Sequence, residues 1–132
     1  MISRNRILPR PTEAEFEILQ VLWEHGTCTV RDVHEVLHRQ DGTGYTTALK
    51  QLQIMFEKGL VERDESQRAH VYRAVVSKER TQKKFLSDML QRVFDGSPSR
   101  LVLQALGDHK ASREELQEIR ALLNQLDTEA GK

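Results

Sequence analysis

Apolar positions recur along this chain with a helical period in six stretches, and with a period of two in one short pair between them. The stretch from Thr43 to Tyr72 organises the rest. On a helix, Tyr45, Ala48, Leu49, Leu52, Met55, Phe56 and Gly59 fall within one arc, while Thr46, Thr47, Lys50, Gln51, Gln53 and Lys58 fall outside it. One side is built to pack. The other carries mostly uncharged hydrogen-bonding groups around Lys50, where a solvated helix would carry Glu and Lys, so it reads as a face that meets another polar object. Base edges qualify, because Thr, Lys and Gln can all read them. Leu60 to Asp64, Glu65 to Ala69 and His70 to Val75 then predict strand, turn and strand.

Upstream, Arg4, Arg6 and Arg10 form a short basic stretch that Pro9 and Pro11 keep extended rather than helical, read either as an arm able to touch phosphates or as a disordered terminus. Thr12-Glu13-Ala14-Glu15 is a capping box, so the first helix starts at Thr12, carries Phe16, Leu19, Leu22 and Trp23 as its core stripe with Ile18 and Val21 widening it, and stops at Gly26. Thr29-Val30-Arg31-Asp32 repeats the box and opens a second helix with Val33, Val36 and Leu37 inward, while Cys28 and Thr29 predict a short third strand. Asp41 to Gly44 ends that helix, and Thr43 is the expected cap of the next. Three helices and a hairpin, the third helix bearing the polar face, form a winged helix-turn-helix, a motif that places its recognition helix in the major groove. The fold class is therefore mostly α with a small β-hairpin.

From Ser77 the pattern changes. A helix from about Lys78 to Asp95 is apolar over a surface too broad for one neighbour, including Thr81, Leu90 and Phe94. Ser97 as cap with Pro98 after it starts another, ended by Gly107, and Ser112-Arg113-Glu114-Glu115 is a third capping box. Such helices have too little partner surface in a segment this short. A second copy of the chain supplies it. The expected organisation is a winged domain over 1–76 and a helical dimerisation arm over 77–132, with Phe85, Leu86, Met89, Val93, Leu101, Leu116, Ile119, Leu123 and Leu126 at the interface. The alternative is that these helices fold back on the first domain as a monomer.

Charge is balanced at 20 basic and 20 acidic residues, so composition gives a nucleic-acid partner no support and any basic patch must be local. The single cysteine, Cys28, excludes an intramolecular disulfide and suits a reducing cytoplasm as a small buried hydrophobe. No apolar run approaches the ~18 residues of a membrane span, so a cytoplasmic protein with no membrane partner is expected.

His34-Glu35-Val36-Leu37-His38 matches H-E-x-x-H, the spacing that sets two imidazoles on one helix face for zinc with Glu as general base. The extended zinc pattern fails, because Asp41 and Gly44 stand where its glycine and third histidine belong. With Val33, Val36 and Leu37 inward, both histidines are expected to face solvent, and a weak surface metal site outranks a zinc peptidase. No glycine-rich phosphate loop, nucleophile elbow or paired-cysteine site is present, so no enzymatic activity and no cofactor is expected.

The chain resembles the bacterial penicillinase-repressor family, the BlaI/MecI/CopY type, over nearly all of residues 8 to 126. The resemblance rests on Leu8 to Trp23 with its Pro-Thr-Glu-Ala-Glu start and Leu-Trp end, on Tyr45-Thr46-Thr47, on Lys58-Gly59-Leu60-Val61, and on His70-Val71-Tyr72. It implies a homodimeric repressor of a palindromic double-stranded DNA operator, with Thr46, Thr47 and Lys50 entering the major groove beside Gln53. Arg68 is implied as a phosphate contact at the wing tip, with Arg63 and Arg73 as weaker ones. It also implies a protease that inactivates the repressor at an Asn-Phe bond. Leu103-Gln104-Ala105-Leu106 lacks that pair, Ile54 stands where the family often has arginine, and the copper-responsive branch's C-terminal cysteines are absent. A winged-helix module that binds protein is the alternative that balanced charge tolerates.

Overall fold

The computed structural model describes residues 10–131, so Arg4 and Arg6 of the expected basic arm lie outside the described residues. Three capping boxes set three helix starts. In α1 (Glu13–His25) the Thr12 hydroxyl accepts from the Glu15 amide while the Glu15 carboxylate accepts from the Thr12 amide, and the same exchange opens α2 (Val30–Asp41) at Thr29 and Asp32. Each exchange satisfies amides that a first turn otherwise leaves unpaired.

The third helix, α3 (Tyr45–Lys58), starts differently from expectation. Its N-cap is Gly44 with no side-chain cap, because the Thr43 hydroxyl and amide are both engaged by Asp41. The helix ends at Gly59, where a φ of 85° would strain any residue with a Cβ. The Leu60 amide donates back to the Met55 carbonyl at 2.9 Å, and this Schellman closure turns the chain directly into the wing.

Strands β1 (Cys28–Thr29), β2 (Val61–Asp64) and β3 (Val71–Ala74) form an antiparallel sheet in the order β1-β3-β2. Cys28 lies opposite Tyr72, and Arg63 lies opposite the same tyrosine from the other side. The core sits beneath, built from Ile18, Leu19, Val33, Leu52, Met55, Leu60 and Tyr72 with their neighbours. Of the expected packing arc on α3, Ala48, Leu52 and Met55 are fully buried and Leu49 half-buried, but Tyr45 is 49% exposed and Phe56 lies at the exposed edge.

The chain divides into two compact units, the first running through Leu86 and so taking in the first half of the helix that follows the wing. The reason is chemical. Trp23 Nε1 donates to the Val76 carbonyl at 2.9 Å, Thr81 on α4 (Lys78–Val93) is buried with its hydroxyl on the Ser77 carbonyl, and Phe85 stacks edge-to-face on Phe16 at 5.0 Å. Phe85, expected at a dimer interface, therefore spends its ring within the first unit.

The second unit holds the end of α4, then α5 (Pro98–Asp108) and α6 (Arg113–Ala130). Asp95 and Gly96 at positive φ break α4, and Ser97 with Pro98 starts α5. Gly107 does not stop α5. The helix runs on to Asp108, and the C-cap is His109, whose amide donates to the Ala105 carbonyl. The Ser112 and Glu115 box opens α6.

Candidate nucleic-acid interface

Full burial of Ala48, Leu52 and Met55 fixes how α3 is rotated, and the same rotation leaves Thr46, Thr47, Lys50 and Gln53 exposed on its outer side. Ile54 is half-buried. At the far end of α3, Lys58 Nζ contacts both oxygens of the buried Glu15 carboxylate at 2.8 and 3.0 Å. That lysine ties α3 to the first turn of α1 and leaves Lys50 as the cation of the outer face.

The three wing arginines divide by their partners. Arg73 pairs with Glu62, its neighbour directly across β2 and β3. Arg63 lies with its guanidinium 4.0 Å above the Phe56 ring and pairs with Glu65 at 2.6 Å; a hydrogen bond to Tyr72, more than Glu65, raises its pKa. Both positive charges are largely answered locally. Arg68, exposed in the turn between β2 and β3, pairs with none of the described carboxylates, and neither does Lys50.

An open groove runs between α3 and the wing, lined among others by Arg31, Tyr45, Gln53, Arg63, Arg68 and His70. Thr46, Thr47 and Lys50 lie outside its lining, on the outer face of α3. Arg31, Tyr45 and His70 were not among the residues expected here. The signal was available: pairing Thr29 with Val71 places the first turn of α2, and hence Arg31, beside His70. A prediction of β1 as a wing strand carries Arg31 with it.

The two histidines of the H-E-x-x-H match differ in exposure. His38 is exposed, but His34 is half-buried, edge-on to Tyr45 with ring centroids 5.6 Å apart, because Tyr45 projects over α2 instead of entering the core. Among the described residues no three His, Cys, Asp or Glu side chains converge on a metal position. Cys28 is buried, and burial, then Asp32, pushes its thiol pKa up, which suits a packing role.

Among the described residues no helix is long and apolar enough to cross a membrane. In the second unit, Leu86's neighbours Met89 and Val93 are exposed, as are Leu123 and Leu126, whereas Leu101, Leu116 and Ile119 are half-buried. Leu86 itself closes the first unit and is exposed.

Comparison with known proteins agrees with this architecture. A methicillin resistance regulatory protein MecI of Staphylococcus aureus is 21% identical over 113 residues, covering 86% of this chain and 92% of that protein. A penicillinase repressor of Bacillus licheniformis is 23% identical over 118 residues, covering 89% and 92%. The solution structure of the DNA binding domain of the repressor BlaI matches with a TM-score of 0.50 at 22% identity, covering 56% of this chain and 90% of that one. A MarR family protein from Bacillus stearothermophilus matches with a TM-score of 0.52 at 22% identity, covering 92% and 76%. Both structural likenesses show the winged-helix fold. The family model described as penicillinase repressor matches residues 11–125, and the chain belongs to that family.

Proposed function

We propose that this chain is a DNA-binding transcriptional repressor that reads an operator with the outer face of α3 and grips its backbone with the wing. The observation that carries the reading is the exposed Thr46, Thr47, Lys50 and Gln53 face on a helix seated by the fully buried Ala48, Leu52 and Met55, flanked by Arg68, which pairs with none of the described carboxylates. Thr, Lys and Gln donate and accept at base edges, and an exposed arginine at a wing tip suits a phosphate. Arg63 and Arg73 contribute less, since each already has a carboxylate. Relatives named as a penicillinase repressor and a methicillin resistance regulatory protein support the repressor role.

The finer reading is a homodimer on a palindromic operator. Support comes from the second unit, where Met89, Val93, Leu123 and Leu126 leave apolar area uncovered, and two copies would present two readers to two half-sites. Release by proteolysis fits the same region: Leu103 and its neighbours are exposed, and a cut there would detach α6 from the reader.

A gel-shift series on the chain's own promoter tests this. Lys50→Ala should cost about 1–3 kcal/mol and relax specificity at one base pair, whereas Arg68→Ala should weaken all sequences alike and lower the salt slope by about one. If neither change alters operator binding, the assignment fails. Duplex binding that ignores added salt would point to a protein-binding module instead.

A further inference from the structure

The H-E-x-x-H match leaves two imidazoles that operator reading does not use. We propose that His34 and His38 form a two-imidazole site for a first-row divalent cation of the nickel, copper or zinc type on α2, beside the start of α3. The rings sit one helical turn apart with centroids at 5.3 Å and tilted by 46°, a separation that one cation about 2 Å from each nitrogen can bridge.

Both ligands are held in place. His38 Nδ1 lies 3.3 Å from the Thr43 carbonyl, and donation there leaves the Nε2 lone pair for a metal, the usual outer hydrogen bond of a metal-bound histidine. His34 is confined by Tyr45, the first residue of α3. Asp41, whose carboxyl is held below its ordinary pKa chiefly by the Thr43 hydroxyl, keeps a negative charge near His38. Imidazole donors select nickel, copper and zinc over magnesium. With two protein ligands, water completes the coordination shell, so affinity is modest. A bound cation stiffens the turn between α2 and α3 through Thr43 and Tyr45.

Ni²⁺ alone, titrated into the full chain purified without a histidine tag, tests the site by calorimetry and thermal melting. The expected result is one ion per chain and a rise in Tm, with both lost in His38→Gln and in His34→Gln and both retained in His109→Gln. Mg²⁺ should give neither. Because His34 is half-buried, circular dichroism checks that its variant folds, and the exposed His38 carries the test if it does not. Paramagnetic broadening by Ni²⁺ should centre on His34 and His38 and reach their contacts Thr43 and Tyr45. No saturable binding at millimolar Ni²⁺, undiminished binding in His38→Gln, or broadening centred on His25 or His109 overturns the proposal.

Discussion

The two units carry similar apolar stripes and treat them differently. In the first, α1, α2 and α3 each bury several side chains, with Leu19, Val33 and Leu52 at 0% exposure; in the second, α5 and α6 bury none completely, and Leu103 stays 71% exposed. An apolar stripe therefore records a demand for a partner without saying where the partner is. In the first unit three helices and a sheet answer one another. In the second the stripe outlasts the chain's own surfaces, which is the physical ground for expecting a second copy.

The sharpest test of that contrast is a pair of leucine truncations. Leu52→Ala removes a fully buried side chain beneath α3 and should cost about 2–5 kcal/mol in urea denaturation. Leu103→Ala, on α5, should cost almost nothing. Equal losses would mean that the second unit has a core of its own. Next in size is the proposed association. Leu123→Asp with Leu126→Asp should convert a dimer to a single-chain mass in sedimentation and abolish any dependence of unfolding on protein concentration, an effect worth about 2.7 kcal/mol at a hundredfold over Kd. A wild type that sediments as a single chain would refute the dimer.

What was legible in the sequence follows from how local the physics is. Capping boxes at Thr12, Thr29 and Ser112 need only residues three apart, and each forms as expected. Thr43 misled because Asp41, two residues back, offers its hydroxyl a nearer partner than the helix does. Gly107 misled because its φ does not turn positive as it does at Gly26, Gly42 and Gly59, and the helical geometry carries through it. In the interface, the polar face of α3 was readable from periodicity. The pairing of Arg73 with Glu62 was not, since it depends on the register of β2 on β3; the place of Arg31 in the groove was within reach, because it follows from β1 joining the same sheet.

The boundary between the units gives a smaller test. Phe85 is half-buried against Phe16, which itself meets Trp23 at 5.7 Å, so three aromatic rings hold the first half of α4 to α1. Phe85→Ala should cost the first unit about 1–2 kcal/mol, part of it the edge-to-face contact, and leave the sedimentation mass unchanged. Loss of the dimer without loss of thermal stability would return Phe85 to the interface.

The smallest effect lies in the wing. Asp64 ends β2 with its carboxylate accepting the Ser66 amide at 2.9 Å, and that bond, then the Ser66 hydroxyl, lowers its pKa below the ordinary 3.8. A carboxylate depressed in the folded state adds stability that is fully present above its unfolded pKa and is lost as pH falls through the lower folded one. Asp64 is fully exposed, so the change is confined to the turn that carries Arg68. The Ser66 amide resonance should titrate with an inflection below the ordinary Asp value and become pH-independent in Asp64→Asn, while global unfolding at neutral pH stays the same. An inflection at or above the ordinary value would show that the wing turn is not held by its own residues. It would then resemble the helices of the second unit, whose apolar side chains are left exposed by the chain's described residues.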